Sequence, residues 1–136
     1  MISIIRMQIG NLGLALAATL AVSTVAMSET QSEGLAGSWS GGGVVTFVSG
    51  DRERARCQAH YSGGGNSYSV SATCATQSGS VSQTARLRKV GANSYAGSFF
   101  NSQYNVSGSI YVTVHGNSQS VSLRSESGSA SLTLRH

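Results

Sequence analysis

The sequence predicts an all-β protein: a single small antiparallel up-and-down barrel of about eight strands with one disulfide. Apolar and polar residues alternate with a period of two from Leu35 onward, which is typical of half-buried strands. Turns rich in Gly and Asn separate the alternating segments, and no segment after residue 28 has a helical period. Charged residues make up only 10% of the chain, but the regular placing of the apolar residues argues against disorder.

Residues 1–28 are predicted to be a secretory signal peptide. Arg6 supplies a positive charge, Ile9–Val22 is almost wholly apolar, and Ser23–Ser28 supplies small residues at cleavage spacing. Two cleavage positions within the last segment suit this pattern equally. The apolar run is shorter than the roughly 20 residues of a spanning helix, so we expect no stable membrane span after cleavage. Export to the bacterial periplasm or the extracellular space is predicted, which argues against nucleic-acid binding and cytosolic enzymes.

The remaining chain divides into a flexible polar tail over residues 29–36 and one barrel domain over residues 37–136. Nine alternating segments are predicted as strands, and the Gly41–Gly43 run between the first two is predicted as a turn. The segments are Gly37–Ser40, Val44–Ser49, Arg54–Tyr61, Tyr68–Ala75, Val81–Val90, Ser94–Phe100, Val106–His115, Gln119–Ser125 and Ser129–Arg135.

Two cysteines, Cys57 and Cys74, lie in consecutive predicted strands, and in an exported protein such a pair favours a disulfide. If the two face each other, the hairpin turn falls at Gly65–Asn66, a sensible two-residue loop. The same register places Ala59 opposite Ala72 and Tyr61 opposite Val70. Directly opposed strand residues are close enough for a disulfide, so the pair is predicted to hold this hairpin together.

One face of nearly every predicted strand is apolar and the other polar, which indicates a sheet with one solvated side. Closure of the sheet on itself would remove its exposed edges. A barrel of this size is expected to be filled by its own side chains. The polar face is rich in Ser and Arg, which argues against an outer-membrane barrel with its apolar outer band. The oligomeric state is left open.

Residue constellations for catalysis are missing, so no enzymatic activity is predicted. Asp51 is the only aspartate, and no pair of carboxylates stands out for acid–base chemistry. The Gly37–Gly41 segment has Trp39 at the position that a serine nucleophile would occupy. His60 and His115 both fall on the polar face, where solvated histidines are expected. No clustered His or Cys ligands are present, and no metal or cofactor is predicted.

Cationic side chains form the most distinctive surface feature. The net charge is +4 for the full chain and about +3 without Arg6, which mildly favours anionic partners. The candidate anion-binding residues are Arg52, Arg54, Arg56, His60, Arg86 and Arg88. If their strands are neighbours, they form a cationic stripe suited to envelope phosphates or an acidic protein. A solvated face that discourages edge pairing explains the same residues and is preferred, since Asp51 and Glu53 dilute the cluster.

The tail followed by Leu35–Trp39 (LAGSW) resembles the start of Inh-type periplasmic metalloprotease inhibitors and related small envelope barrels, and its G-x-W pattern is similar to the opening of lipocalin-like barrels. In those inhibitors the N-terminal tail enters the protease cleft and the barrel is a rigid platform. The resemblance implies that Trp39 is a structural plug. It also implies an inhibitory tail made of Ser28, Glu29, Thr30, Gln31, Ser32, Glu33 and Gly34.

These observations predict a non-enzymatic exported barrel that binds a partner at the cell envelope, either a protein such as a protease or an anionic envelope component. A lipocalin-like small-ligand carrier is the first alternative, and a structural or adhesive surface protein is the second. The carrier alternative requires an apolar cavity. The aromatic residues considered for its lining are Tyr95, Phe99, Phe100, Tyr104 and Tyr111.

Overall fold

The structure is a computed structural model that describes residues 34–136. Eight β-strands make up almost all of this region, joined by short turns. They are β1 (Gly37–Phe47), β2 (Arg52–Gly64), β3 (Ser67–Thr76), β4 (Gly79–Lys89), β5 (Ser94–Asn101), β6 (Val106–His115), β7 (Ser118–Ser125) and β8 (Gly128–Arg135).

The strands form a closed antiparallel up-and-down barrel. Each strand pairs with the next one along the chain, and β8 pairs with β1 to complete the ring. Closure leaves no strand with an unpaired edge, because every strand has two neighbours. The predicted fold class is therefore confirmed, including the meander and its single disulfide.

The strand pairing is strongly staggered around the ring. A path from Arg54 through successive partners on β1, β8, β7, β6, β5, β4 and β3 returns to β2 at Gly64, ten residues further along. At a fixed number of strands, a larger stagger tilts the strands further from the barrel axis and widens the interior. This barrel is therefore wider than its strand number alone implies.

Strand β1 runs unbroken through Gly41–Gly43, so the turn predicted there is wrong and the first two predicted strands are one. Glycine is needed because the neighbouring backbones approach very closely. A Cβ atom added to Gly43 would lie 1.9 Å from the carbonyl oxygen of Ser131 on β8, and one added to Gly42 would lie 2.3 Å from that of Ala55 on β2. These glycines allow neighbouring strands to approach closely inside the sheet and do not end the strand.

The β2–β3 hairpin has the predicted register. Cys57 lies opposite Cys74 with their Cα atoms 4.1 Å apart, and the two form the predicted disulfide. The turn between the strands is Gly65–Asn66, and Gly65 has a φ of 64°, which glycine adopts at no steric cost. Cysteine placement and turn chemistry thus define the same pairing.

Alternation along the strands places the apolar side chains inside the barrel. Among the predicted inward positions, Ala55, Cys57, Ala59, Tyr61, Tyr68, Val70, Cys74, Leu132 and Leu134 are all buried. Their neighbours in sequence on the same strands are almost all exposed. The barrel interior is the core, and the outer wall faces solvent.

Several predictions concern residues outside the described part of the chain. The signal peptide over residues 1–28 lies there, as do residues 29–33 of the predicted tail. Of the tail's remaining residues, Leu35 is completely buried and belongs to the core. Among residues 34–136 no helix has the length and apolar character needed to cross a membrane.

Candidate functional site

One end of the barrel, called the closed end here, is plugged by aromatic side chains. Trp39 on β1 is 2% exposed, and its indole N–H donates a 2.9 Å hydrogen bond to the carbonyl oxygen of Leu35. The His136 imidazole packs against the indole with ring centroids 4.2 Å apart. Trp39 therefore acts as the plug implied by the resemblance, because its ring fills the opening and its polar edge is satisfied by the chain segment that precedes β1.

A buried polar pair lies beside this plug. The Tyr61 hydroxyl on β2 donates a 2.5 Å hydrogen bond to Oε1 of Gln119 on β7, and neither side chain is more than 2% exposed. Burial raises the pKa of the Tyr61 phenol well above its ordinary value, although the bond to Gln119 opposes that shift. Nε2 of Gln119 has no hydrogen-bond partner among the described residues.

A cavity of about 400 Å³ occupies the opposite half of the barrel, and the residues lining it reach the turns at that end, called the mouth here. Its wall includes Cys57 and Cys74, so the disulfide lies in the cavity surface. The other apolar residues of the wall are Val45, Phe47, Ala55, Val81, Phe99, Val106, Leu123, Ala130 and Leu132. The expectation of an interior filled by side chains is therefore wrong at this end, where a wide stagger coincides with small wall residues such as Ala55 and Ala130.

The aromatic residues considered for a cavity separate into three groups. Phe99 and Tyr104 line the cavity, Phe99 from a buried position on β5 and Tyr104 from an exposed position in the turn between β5 and β6. Tyr95 packs edge-on against Tyr68 in the core, with ring centroids 5.5 Å apart. Phe100 and Tyr111 are exposed. Alternation along β5 places Tyr95 and Phe99 inside the barrel and Phe100 outside it, because neighbouring residues of a strand face opposite sides of the wall.

Two amide side chains supply polar groups in the cavity wall. Asn101, the last residue of β5, is 6% exposed, and its Oδ1 accepts a 3.2 Å hydrogen bond from the backbone N–H of Tyr104. Gln83 on β4 is half-buried and also lines the cavity. Neither Asn101 nor Gln83 was predicted from the sequence to belong to a site. Each residue is two positions away from residues of its strand that face the barrel interior, so its own side chain should face inward too. A polar residue at such a position is an exception to the pattern, and this exception could have indicated a site.

The carboxylates of the described region all lie near the mouth. Asp51 precedes β2, Glu53 lies near its start, and Glu126 is in the turn between β7 and β8. Glu53 accepts hydrogen bonds from the hydroxyl and the backbone N–H of Ser78, at 2.6 Å and 3.2 Å. The hydrogen bond from the Ser78 hydroxyl lowers the pKa of the Glu53 carboxyl, and a side-chain hydrogen bond from Thr76 lowers it further. Because Ser78 also lines the cavity, this anion lies at its edge.

The candidate anion-binding residues do not form one continuous stripe. Strand β3 lies between β2 and β4, so the two groups of arginines are not on adjacent strands. Arg56 lies opposite Ala75, which lies opposite Ser80 on β4, six residues before Arg86. At about 3.3 Å per strand residue, some 20 Å of barrel wall separates the two groups along the strand direction.

The remaining members of that set are equally dispersed. Arg52 and Arg54 continue toward the mouth on β2, whereas Arg88 lies near the closed end of β4. His60 lies between the two groups, with its Nδ1 3.3 Å from the hydroxyl oxygen of Ser38. All of these side chains are exposed. No group of three or more His, Cys, Asp or Glu residues within residues 34–136 is arranged to hold a metal ion.

The predicted inhibitory tail is represented in the described region by Gly34 alone. Gly34 packs against Tyr68 at the closed end, where an added Cβ atom would lie 2.6 Å from the Tyr68 hydroxyl. Ser28–Glu33 lie outside the described residues.

Solved structures of designed β-barrels are similar to this barrel. A redesigned barrel, mFAP1, bound to DFHBI, has a TM-score of 0.64 and 13% sequence identity, covering 75% of this chain and 94% of that chain. A de novo designed fluorescence-activating barrel has a TM-score of 0.58 and 13% identity, covering 75% and 93%. The redesigned barrel b11L5F_LGL has a TM-score of 0.59 and 15% identity, covering 75% and 90%. At such identities the likeness shows the fold alone.

No protein-family model matches the chain, and no curated protein sequence matches it either. The resemblance to Inh-type inhibitors therefore stays a prediction.

Proposed function

We propose that this protein binds a small apolar molecule in the cavity at the mouth of the barrel. The observation that carries the proposal is the cavity itself, about 400 Å³ in volume and walled mainly by aliphatic and aromatic side chains. This volume lies within the roughly 300–1,000 Å³ range of small-molecule sites, and such sites are mostly apolar with a few placed polar groups. Transfer of an apolar molecule from water into this space is favourable because apolar surface of both partners is buried.

The arrangement of the two ends supports a binding role. The Trp39 plug shuts one end of the barrel, so a ligand would enter and leave through the mouth. A closed sheet also gives rigid walls, which reduces the ordering cost of binding. The similar barrel mFAP1 was solved with the small molecule DFHBI, so a barrel of this architecture can hold a ligand.

We further propose that the protein acts outside the cytoplasm. The Cys57–Cys74 disulfide is compatible with an oxidising compartment, where such bonds form and persist. Together with the predicted signal peptide, this favours a carrier of the lipocalin-like kind in the periplasm or the extracellular space. Binding to an envelope protein, including protease inhibition, stays a separate proposal.

Fluorescence titration with N-phenyl-1-naphthylamine, a neutral dye that brightens in apolar surroundings, tests the binding proposal. We expect saturable binding to the mature protein. Ala130→Phe should weaken it at least about tenfold, equivalent to roughly 1.4 kcal/mol, because the added ring occupies the cavity. Ser131→Phe is the matched control, since Ser131 is adjacent in β8 but exposed.

Circular dichroism should show that both variants keep the sheet. Equal dye affinities for the two variants, or no saturable binding by the unmodified protein, would contradict the proposal.

A further inference from the structure

A second, smaller cavity, called the deep cavity here, lies between the mouth cavity described above and the closed end. Its volume is about 30 Å³, and Tyr61 and Ala85 are part of its wall. Along β2, Ala55 lines only the mouth cavity, Cys57 lines both cavities, and Ala59 lines only the deep one. The inward residues of β4 and β8 follow the same succession. The two cavities therefore lie end to end, and the disulfide is part of the wall where they meet.

The size of the deep cavity suits the end of a hydrocarbon chain and excludes a ring. Its volume is about that of one water molecule in the liquid, which is also close to the size of a methyl group. Small side chains leave this space, since Ala59 lies opposite Ala72 and Ala85 lies opposite Val70 on neighbouring strands. Apolar walls offer water no hydrogen bonds, so an apolar chain end is the more favourable occupant.

The polar groups of the two cavities are concentrated toward the mouth. Ser78 and Ser127 line the mouth cavity from turns at that end. The inward polar residues of the deep cavity are Tyr61, whose hydroxyl is hydrogen-bonded to Gln119, and Gln83, which lies where the cavities meet. A molecule with one polar and one hydrocarbon end therefore matches this interior tail first, because its polar end stays hydrated at the mouth.

We infer that the two cavities together bind a single-chain amphiphile tail first, with an unbranched hydrocarbon chain that passes the disulfide and places its last carbons against Tyr61. This inference rests on the proposed ligand-binding function and adds the shape of the ligand and its direction of entry. Carboxylates and arginines both lie at the mouth end, so a neutral hydroxyl group is the appropriate polar end for a probe.

Displacement of bound N-phenyl-1-naphthylamine by two isomeric alcohols tests the shape. 1-Decanol has a straight chain, whereas 7,7-dimethyl-1-octanol ends in a tert-butyl group that is too wide for the deep cavity. We expect the straight isomer to displace the dye at a concentration at least about fourfold lower, the gain from burying one further methylene group. Equal displacement by the isomers, or displacement by neither, would overturn the inference. Failure of the dye itself to bind would instead contradict the proposed function.

Substitutions of Val70, which lines the deep cavity and not the mouth cavity, should change this preference in two ways. Val70→Ile adds a methylene group to the deep cavity and should weaken 1-decanol to the level of its isomer. Val70→Ala widens the cavity and should strengthen the branched isomer to the level of 1-decanol. A general loss of structure would weaken both ligands together.

Ser71→Thr is the matched control for these variants, because it adds a methyl group at the exposed neighbouring position of β3. It should leave both affinities unchanged. An undiminished preference for the straight chain in both folded Val70 variants would overturn the inference.

The single tryptophan reports the position of the chain end in the unmodified protein, whether or not the variants fold. Trp39 packs edge-on against Tyr61 with ring centroids 6.3 Å apart, so it adjoins the inner end of the deep cavity. Bromine is similar in size to a methyl group and quenches tryptophan fluorescence at close range. At saturation, 9-bromo-1-nonanol, with bromine in place of the terminal methyl of 1-decanol, should quench Trp39 more strongly than 2-bromo-1-decanol. Equal or weaker quenching would overturn tail-first binding.

Discussion

At the scale of single residues, the closed end contains a buried hydrogen-bonded pair of polar side chains. The Tyr61 hydroxyl and Gln119 Oε1 satisfy each other in the core, and each would be left unpaired if the other were removed. An unpaired buried group costs more than the net value of the bond it lost, so the two residues are expected to be energetically coupled.

Gln119→Leu should lower the free energy of unfolding by less than the roughly 1–3 kcal/mol cost of an unpartnered Tyr61 hydroxyl, because the change also removes the buried, unpartnered Nε2 of Gln119. Tyr61→Phe removes the hydroxyl but leaves Gln119 without its donor. The double variant should be more stable than the sum of the single losses predicts, since both polar groups are then absent. Urea denaturation of all four proteins measures the coupling, and strictly additive losses would refute it.

At the scale of strands, glycines permit the close approach of neighbouring backbones within the wall. Gly97 within β5 lies so close to β4 that an added Cβ atom would be 1.7 Å from the carbonyl oxygen of Arg86. The clash is with backbone, which cannot rotate away, so the strands themselves would have to separate. The barrel therefore depends on specific glycines inside strands as well as on those in its turns.

Gly97→Ala should lower the free energy of unfolding by about 1–3 kcal/mol, the usual cost of overpacking, or prevent folding. Gly64→Ala is the matched control, because an added Cβ atom there meets nothing within 4 Å and the residue lies at the end of a strand. The stabilities of the two variants are compared by their denaturation midpoints. A loss at Gly64 as large as that at Gly97 would contradict the assignment of the loss to the backbone clash, because Gly→Ala without a clash lowers the entropy of the unfolded chain and does not destabilise the folded protein.

The strands and their register were predictable where the pattern of side chains along the sequence indicated them. Alternation showed which face of β2 and β3 is buried, and Cys57, Cys74 and the Gly65–Asn66 turn defined one hairpin register. The Gly41–Gly43 run was misinterpreted because glycine suits both a turn and a close backbone approach. Only the position of the neighbouring strands separates these two uses, and sequence alone does not contain it.

At the scale of the whole molecule, the cavity was not predictable because it is a collective property of the barrel. Its volume follows from the ten-residue stagger together with the sizes of side chains contributed by all eight strands. The separation of the arginines on β2 from those on β4 is also a property of the whole barrel, because the order of the strands determines which of them are adjacent. Asn101 and Gln83 gained significance only when their shared cavity was known.

The predicted inhibitory tail and the cavity can be tested as separate functions of one chain. A mature protein lacking Met27–Gly34 should keep its fold and its dye affinity, because Leu35 and the cavity residues all remain. If the tail inhibits a metalloprotease, the truncated protein should lose that inhibition. Capture of proteases from an envelope extract by the two forms, followed by inhibition assays, makes the measurement. Equal inhibition by both forms would contradict the tail's role.

The positions of Gly34 and His136 have a consequence for how the barrel can be attached to a support. Gly34 and His136 both lie at the end that Trp39 seals. A Cβ atom added to Gly37 would lie 3.1 Å from Cε1 of the His136 ring. A linker joined at Gly34 or at His136 starts from the end of the barrel opposite the mouth. A barrel that begins at Gly34 and is attached to a bead, a surface or a fused protein through Gly34 or His136 therefore has its mouth facing away from the attachment.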